Sequence, residues 1–135
     1  MFETKIAIAV RADLAVWQKL NVTAFLASGI AASVPGCIGE VYVDHAGQRY
    51  SAMCGQPILV FAGDVESLRR AHDRARERGL LIVPYVEPMF STGHDAANRA
   101  VFAEGDTKAQ NWVGLAFHGE RKAVDKTVKG LSLHP

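Results

Sequence analysis

The sequence predicts a single α/β domain built on a small, mostly parallel β-sheet of about four main strands. Three observations carry that expectation. Short, apolar, β-favouring runs recur at 5–10, 57–62, 80–86 and 111–117; helical patterns follow the first two of them behind an aspartate; and Gly79 stops the second helix directly before the third run. With 135 residues, the chain has the size of one ordinary domain and can bury its own core. Its 49% hydrophobic and 21% charged residues lie in the globular range.

The first run, KIAIAV at 5–10, ends at Arg11-Ala-Asp13, where Asp13 is placed to cap a helix starting at Leu14. From 14 to 32, Leu14, Trp17, Leu20, Val22, Phe25, Leu26 and Ile30 among many alanines describe a helix apolar around much of its circumference, expected to be largely buried. Two alternating segments, EVYV at 40–43 and RYSAM at 49–53, flank the turn-rich DHAGQ at 44–48 and read as an irregular hairpin or excursion.

The run PILVFA at 57–62 is a strand, Asp64 caps a helix over 65–78, and LLIVPYV at 80–86 is the next strand. That order reads as a βαβ crossover with these two strands parallel. Residues 87–110 are polar, with a helix expected over 95–102. NWVGLAF at 111–117 is the final main strand, and a short helix over 120–127 closes the fold. Apolar residues persist to Leu133, so Trp112 and residues 130–134 are expected to belong to the folded body rather than to a frayed tail.

The most function-like segment is FSTGHDAANR at 90–99. It follows a strand of the parallel set, supplies Ser91, Thr92 and His94, and enters a helix through Asp95 with Asn98 and Arg99 on its first turns. Ligands favour the carboxyl ends of parallel strands, and a helix start offers free N–H groups. The expected ligand-binding set is Asn21, Ser91, Thr92, Asn98 and Arg99, for a small polar or anionic molecule. The bland alternative is a helix that Asp95 simply caps after a glycine turn. Candidate catalytic residues are Lys19, Thr92, His94 and Asp95, with a His94–Asp95 dyad disfavoured because adjacent helix residues rarely face each other.

Other chemistry is thinly represented. Cys37 and Cys54 have no metal-ligand spacing and read as free thiols, no histidine set has metal-site spacing, and GCIG at 36–39 lacks the dinucleotide and phosphate-loop patterns. No metal and no cofactor are expected. The net charge of +1 argues against nucleic acid as a partner, and the basic row Arg70, Arg74, Arg78 is interleaved with Glu66, Asp73 and Glu77 as a solvated helix face would be. Arg11 and Asp13 interrupt the N-terminal apolar stretch well short of a membrane span, and a cytoplasmic location is expected.

The strand at 5–10, the turn Arg11-Ala-Asp13-Leu14 and the alanine-rich helix resemble the opening of the type 2 peptidyl-tRNA hydrolases, which begin with a strand and an R-x-D-L turn. Val113-Gly114-Leu115 resembles that family's Gly-bearing final strand, and Val124-Asp125-Lys126 followed by Gly130-Leu131-Ser132-Leu133 resembles its closing I-D-x-x-T-G-x-L-K-L. The resemblance covers most of the chain in order. It implies a three-layer α/β/α fold with a small mixed sheet whose last strand is antiparallel, often in a homodimer, and hydrolysis of peptidyl-tRNA or a related ester or amide. The catalytic motifs depart from the family's. Its G-K-G-K-x-A-x-Q-x-x-H-A helix start is WQKLNVTAFLAS at 17–28, where only Lys19 matches a functional lysine, and its D-A-G-x-T-Q loop is EPMFSTGHD at 87–95. The chain therefore looks like a related bacterial family of unknown function on that fold, with its own polar motifs at the same sheet edge.

Overall fold

A computed structural model describes residues 2–135. In chain order it contains β1 (Thr4–Arg11), α1 (Val16–Ser33), β2 (Tyr42–Val43), β3 (Arg49–Tyr50), β4 (Ile58–Gly63), α2 (Val65–Glu77), β5 (Leu81–Val86), α3 (Asp95–Glu104), β6 (Trp112–Glu120), α4 (Arg121–Thr127) and β7 (Ser132–Leu133). Single 3-10 turns occupy Pro35–Cys37 and Glu87–Ser91.

The main sheet has five strands in the order β5-β6-β1-β4-β7. Only the β1–β4 pairing is parallel; β1–β6, β5–β6 and β4–β7 are antiparallel. The mostly parallel sheet expected from the sequence is therefore corrected to a mixed, mostly antiparallel one. β4 and β5 do point the same way, as their crossover through α2 requires, but β1 and β6 lie between them. β6 is the strand that changes the character of the sheet, because it enters antiparallel to both of its neighbours. β7 completes the opposite edge, with Leu133 opposite Phe61 and the His134 amide donating to the Val60 carbonyl at 2.9 Å. Trp112 is buried as well, so both C-terminal features belong to the folded body.

The strand registers sort the core into two faces by residue size. Ile6, Ile8 and Val10 of β1 share a face with Ala116 and Gly114, their cross-strand neighbours on β6, and α1 covers that face through Val22 and Leu26. On the other face the buried residues of β1 are Ala7 and Ala9, opposite Phe117 and Leu115 of β6. Here α2 and α4 pack: Gly63 of β4 meets Ser67 of α2, and Lys5 of β1 pairs with Asp125 of α4. Large side chains on one strand thus face small ones on the next, which lets both layers approach closely.

The helix boundaries have identifiable causes. Asp64 caps α2 by accepting from the Ser67 amide at 2.8 Å, a backbone bond that holds its carboxyl below the ordinary 3.8. Gly79, at φ 64°, turns the chain out of α2 in the left-handed conformation that glycine adopts freely. Glu120 caps α4 by accepting from the amides of Lys122 and Ala123. Asp13, by contrast, does not cap α1: its carboxylate receives the Arg11 guanidinium at 2.9 Å, and α1 starts behind Ala15, whose amide donates to Gln18 Oε1.

The expectation that α1 is largely buried is also corrected. Only Val22, Leu26 and Ile30 are buried, whereas Trp17 and Leu20 are 60% and 67% exposed. Its apolar residues form several rows: one enters the core, one lines a cleft described below, and Val16 with Leu20 borders an open groove. Residues 40–53 form the expected excursion, a two-stranded hairpin in a sheet of its own, closed by Asp44 Oδ1 accepting from the amides of Ala46 and Gln48. Val41, Tyr42, Val43, Tyr50 and Met53 are exposed along it. No helix among the described residues is long and apolar enough to cross a membrane.

Candidate functional site

β1 and β5 run in the same direction, so the turn leaving β1 and the segment leaving β5 emerge at one edge of the sheet. Two contacts bind these ends to the loop entering β6. Arg11 donates to the Asn111 side chain while holding Asp13, and the Glu87 amide donates to the Asn111 carbonyl at 3.0 Å. The guanidinium also keeps the Asp13 carboxyl below its usual pKa. From this edge α1 runs back over one face of the sheet, and the 3-10 turn Glu87–Ser91 leads into α3. Buried Gln110 fixes the far end of α3 by donating to the Phe102 carbonyl at 3.0 Å.

Between α1 and this segment lies a cavity of about 270 Å³ whose lining includes Trp17, Asn21 and Phe25 of α1, Tyr85 of β5, and Thr92, His94, Asp95 and Asn98. Residues 17, 21 and 25 are four apart and form one row along α1. The aromatic rings make a continuous wall: Trp17 meets Phe90 edge-on at 5.8 Å, Phe90 meets Tyr85 at 5.5 Å, and Tyr85 meets Phe25 at 6.0 Å. Burial pushes the Tyr85 phenol above its ordinary 10.0. A second, more apolar cavity of about 550 Å³ adjoins the first, sharing Phe25, Tyr85, Met89, Asp95 and Asn98 and extending to Val83 and Phe102. Together they form one cleft with a polar and an apolar end.

At the polar end, the Thr92 hydroxyl reaches the Met89 carbonyl at 2.9 Å and the Asn98 side-chain oxygen. This bond fixes Asn98, on the first turns of α3, against the loop before it. His94, not Asp95, is the N-cap of α3: its Nδ1 accepts from the Ala97 amide at 3.2 Å, which leaves the proton of the neutral ring on Nε2. Asp95 occupies the first helical position and pairs with Arg99 one turn later. A His94–Asp95 dyad is therefore not formed, since each group is engaged elsewhere.

Of the residues singled out from sequence, Asn21, Thr92, His94, Asp95 and Asn98 come together in this cleft, although Asn21 lies far from the others in the chain. Arg99 borders only the apolar end, its guanidinium held by Asp95. Ser91 is exposed and lines neither cavity. Lys19 lies elsewhere, in an apolar groove with Val10, Val16, Leu20, Val60 and His134. The aromatic wall is not foreseen from the sequence, which places Trp17 and Phe25 on a largely buried helix, Tyr85 in a strand and Phe90 at the start of the polar segment. The detectable signal was Asn21 standing between Trp17 and Phe25 at four-residue spacing, a polar side chain in an otherwise apolar row. Among the described residues, no group of three or more His, Cys, Asp or Glu side chains is arranged to hold a metal ion.

Residues 4–135 match the family model described as "Protein of unknown function (DUF2000)", and the chain belongs to that family. A solved structure of a protein of unknown function from Agrobacterium tumefaciens is 53% identical, with 100% of both chains covered and a TM-score of 0.97. No curated protein matches the chain.

Proposed function

We propose that this DUF2000 member is a cytoplasmic binding protein for a small, neutral, amphipathic molecule, held in the cleft between α1 and α3. The observation that carries this reading is the convergence of Asn21 with Thr92 and Asn98 at the end of an aromatic wall. Sites for small ligands are largely apolar, with a few placed polar groups that set orientation. The carboxamides of Asn21 and Asn98 both donate and accept, and suit an amide, hydroxyl or heterocycle edge. Phe25, Tyr85 and Phe102 would take the apolar part. The broader expectation of a polar or anionic ligand narrows to a neutral one. Lys19 lies outside the cleft and Arg99 is paired with Asp95, so among the described residues that line it an anion would meet no lysine or arginine without a carboxylate partner.

The alternative is a peptidyl-tRNA hydrolase-like enzyme using Lys19 with Thr92, His94 or Asp95. The separate position of Lys19 and the engaged states of His94 and Asp95 favour binding over that chemistry. A soluble-fragment screen of planar amides and heterocycles by protein NMR tests the binding reading. Hits should shift the amide resonances of Asn21, Thr92 and Asn98 together, and Asn98→Ala should weaken a hit roughly three- to tenfold, the worth of one net hydrogen bond. Hits that bind elsewhere, or that ignore the substitution, would reject the site.

The exposed apolar surface supports a homodimer. Val16 and Leu20 on α1, and Val41, Tyr42, Val43, Tyr50 and Met53 along the hairpin, are exposed apolar side chains of the kind that association covers. A second copy is the occupant that presents equal and self-complementary patches. Light scattering at micromolar concentration should give a dimer mass, and Leu20→Glu with Tyr42→Glu should give a folded monomer. A monomeric wild-type protein rejects the assembly.

A further inference from the structure

The hairpin leaves the body through a narrow neck that carries both cysteines of the chain. Ile38 and Cys54 pair as a single antiparallel bridge, the Gly39 amide donates to the Met53 carbonyl at 2.9 Å, and the Gly55 amide donates to the Cys37 carbonyl at 2.6 Å. The two backbones touch here: a Cβ added to Gly55 would lie 3.3 Å from the Gly39 Cα. Cys37, at the end of the 3-10 turn, is buried, while Cys54 is half-buried and its thiol donates to the Gln56 carbonyl at 3.4 Å. Burial, and then a hydrogen bond with the Cys54 thiol, pushes the Cys37 thiol above its ordinary pKa.

We propose that Cys37 and Cys54 form a dithiol site that hydroperoxides oxidise to a disulfide across the neck of the hairpin. A disulfide needs its two backbones already within a few ångströms of each other, and the paired neck supplies that approach. The accessible residue reacts first. The Cys54 thiolate attacks one peroxide oxygen, the O–O bond breaks, and the sulfur becomes a sulfenic acid as the other oxygen leaves and takes up a proton as water or alcohol. The Cys37 sulfur then attacks the sulfenic sulfur; the S–S bond forms, the S–O bond breaks, and the hydroxyl leaves with the Cys37 proton as water. In balance, two thiols lose two electrons and two protons, and the peroxide is reduced by the same number. Burial of Cys37 fits the second role, because peroxide reaches the half-buried Cys54 thiol more readily than the buried one. The site lies apart from the α1–α3 cleft and does not depend on what binds there. Its effect falls on the hairpin, since an isolated pair of strands is marginally stable and a covalent clamp at its base restricts its opening.

Trypsin provides the test, because Arg49 is the one lysine or arginine between the two cysteines. Reduced protein treated with stoichiometric hydrogen peroxide, alkylated and digested should yield peptides 20–49 and 50–69 as one cross-linked species, which separates on reduction. Its intact mass before digestion should fall by two hydrogen atoms. Cys37→Ser should instead leave a Cys54 sulfenic acid that dimedone traps, and Cys54→Ser should slow the peroxide reaction of the remaining thiol roughly tenfold or more. Cross-links between chains, two thiols that still titrate after treatment, or peptides 20–49 and 50–69 recovered separately without reduction would overturn the proposal.

Discussion

Replacing Phe117 with alanine should destabilise the fold by about 3–5 kcal/mol, the usual cost of deleting a buried aromatic ring from a core that cannot collapse. Phe117 is fully buried on β6, the strand held between β1 and β5. Its cross-strand neighbour on β1 is Ala7, and Ala9 lies two residues along the same face, so β1 has no side chain able to reach into the vacated space. Ladder pairing on both sides of β6 prevents the backbone from closing the gap. Chemical denaturation with a fixed m-value would read the loss as a drop in midpoint. The exposed hairpin residue Val41 is the control: Val41→Ala should change stability by no more than about 0.5 kcal/mol. A Phe117 effect as small as the control's would mean that this layer is not closely packed.

What the sequence disclosed followed from local chemistry. Asp64 and Gly79 bracket α2 because a cap and a left-handed turn each need a particular residue type, and their positions fix the helix with little help from the rest of the chain. The place of β6 in the sheet has no such local signature. NWVGLAF reads as a buried strand in either direction, and its antiparallel insertion between β1 and β5 depends on which neighbours accept Gly114, Ala116 and Phe117 by size. The apolar pattern of α1 reads as a largely buried helix and does not tell a side chain in the core from one lining a cleft, because both must exclude water.

The candidate site divides along the same line. Asn21 and the 92–98 segment could be brought together in advance, since strands of common direction deliver their outgoing loops to one edge. Lys19 could not be placed that way. It is two residues from Asn21, and a rotation of about 100° per residue puts the two side chains on nearly opposite sides of the helix. Asp95 was the expected cap of α3 on residue preference alone, but His94 holds that position and frees Asp95 to pair with Arg99. The shift of one residue decides whether the carboxylate addresses the helix start or a neighbouring cation.

Gly114→Val should affect both stability and the cleft, because this glycine sets how closely α1 approaches the sheet. A Cβ at that position would overlap Val22 and lie 2.9 Å from the Leu26 side chain, with the Ala9 carbonyl 3.5 Å away on the neighbouring strand. Both α1 residues are fully buried, so neither can swing into solvent to make room. The remaining response is for α1 to move outward as a body, and overpacking of this kind costs about 1–3 kcal/mol and at times more. Trp17, Asn21 and Phe25 belong to the same helix and would move with it, away from Tyr85, Thr92 and Asn98. A ligand that bridges the two walls should therefore bind more weakly to Gly114→Val than the stability loss alone explains, at a temperature where the variant is fully folded. Gly114→Ala should show the same effects in smaller measure. If Gly114→Val melts as the wild type does, α1 is not held at the distance described; if it is destabilised but binds ligand normally, the α1 row does not form one wall of the site.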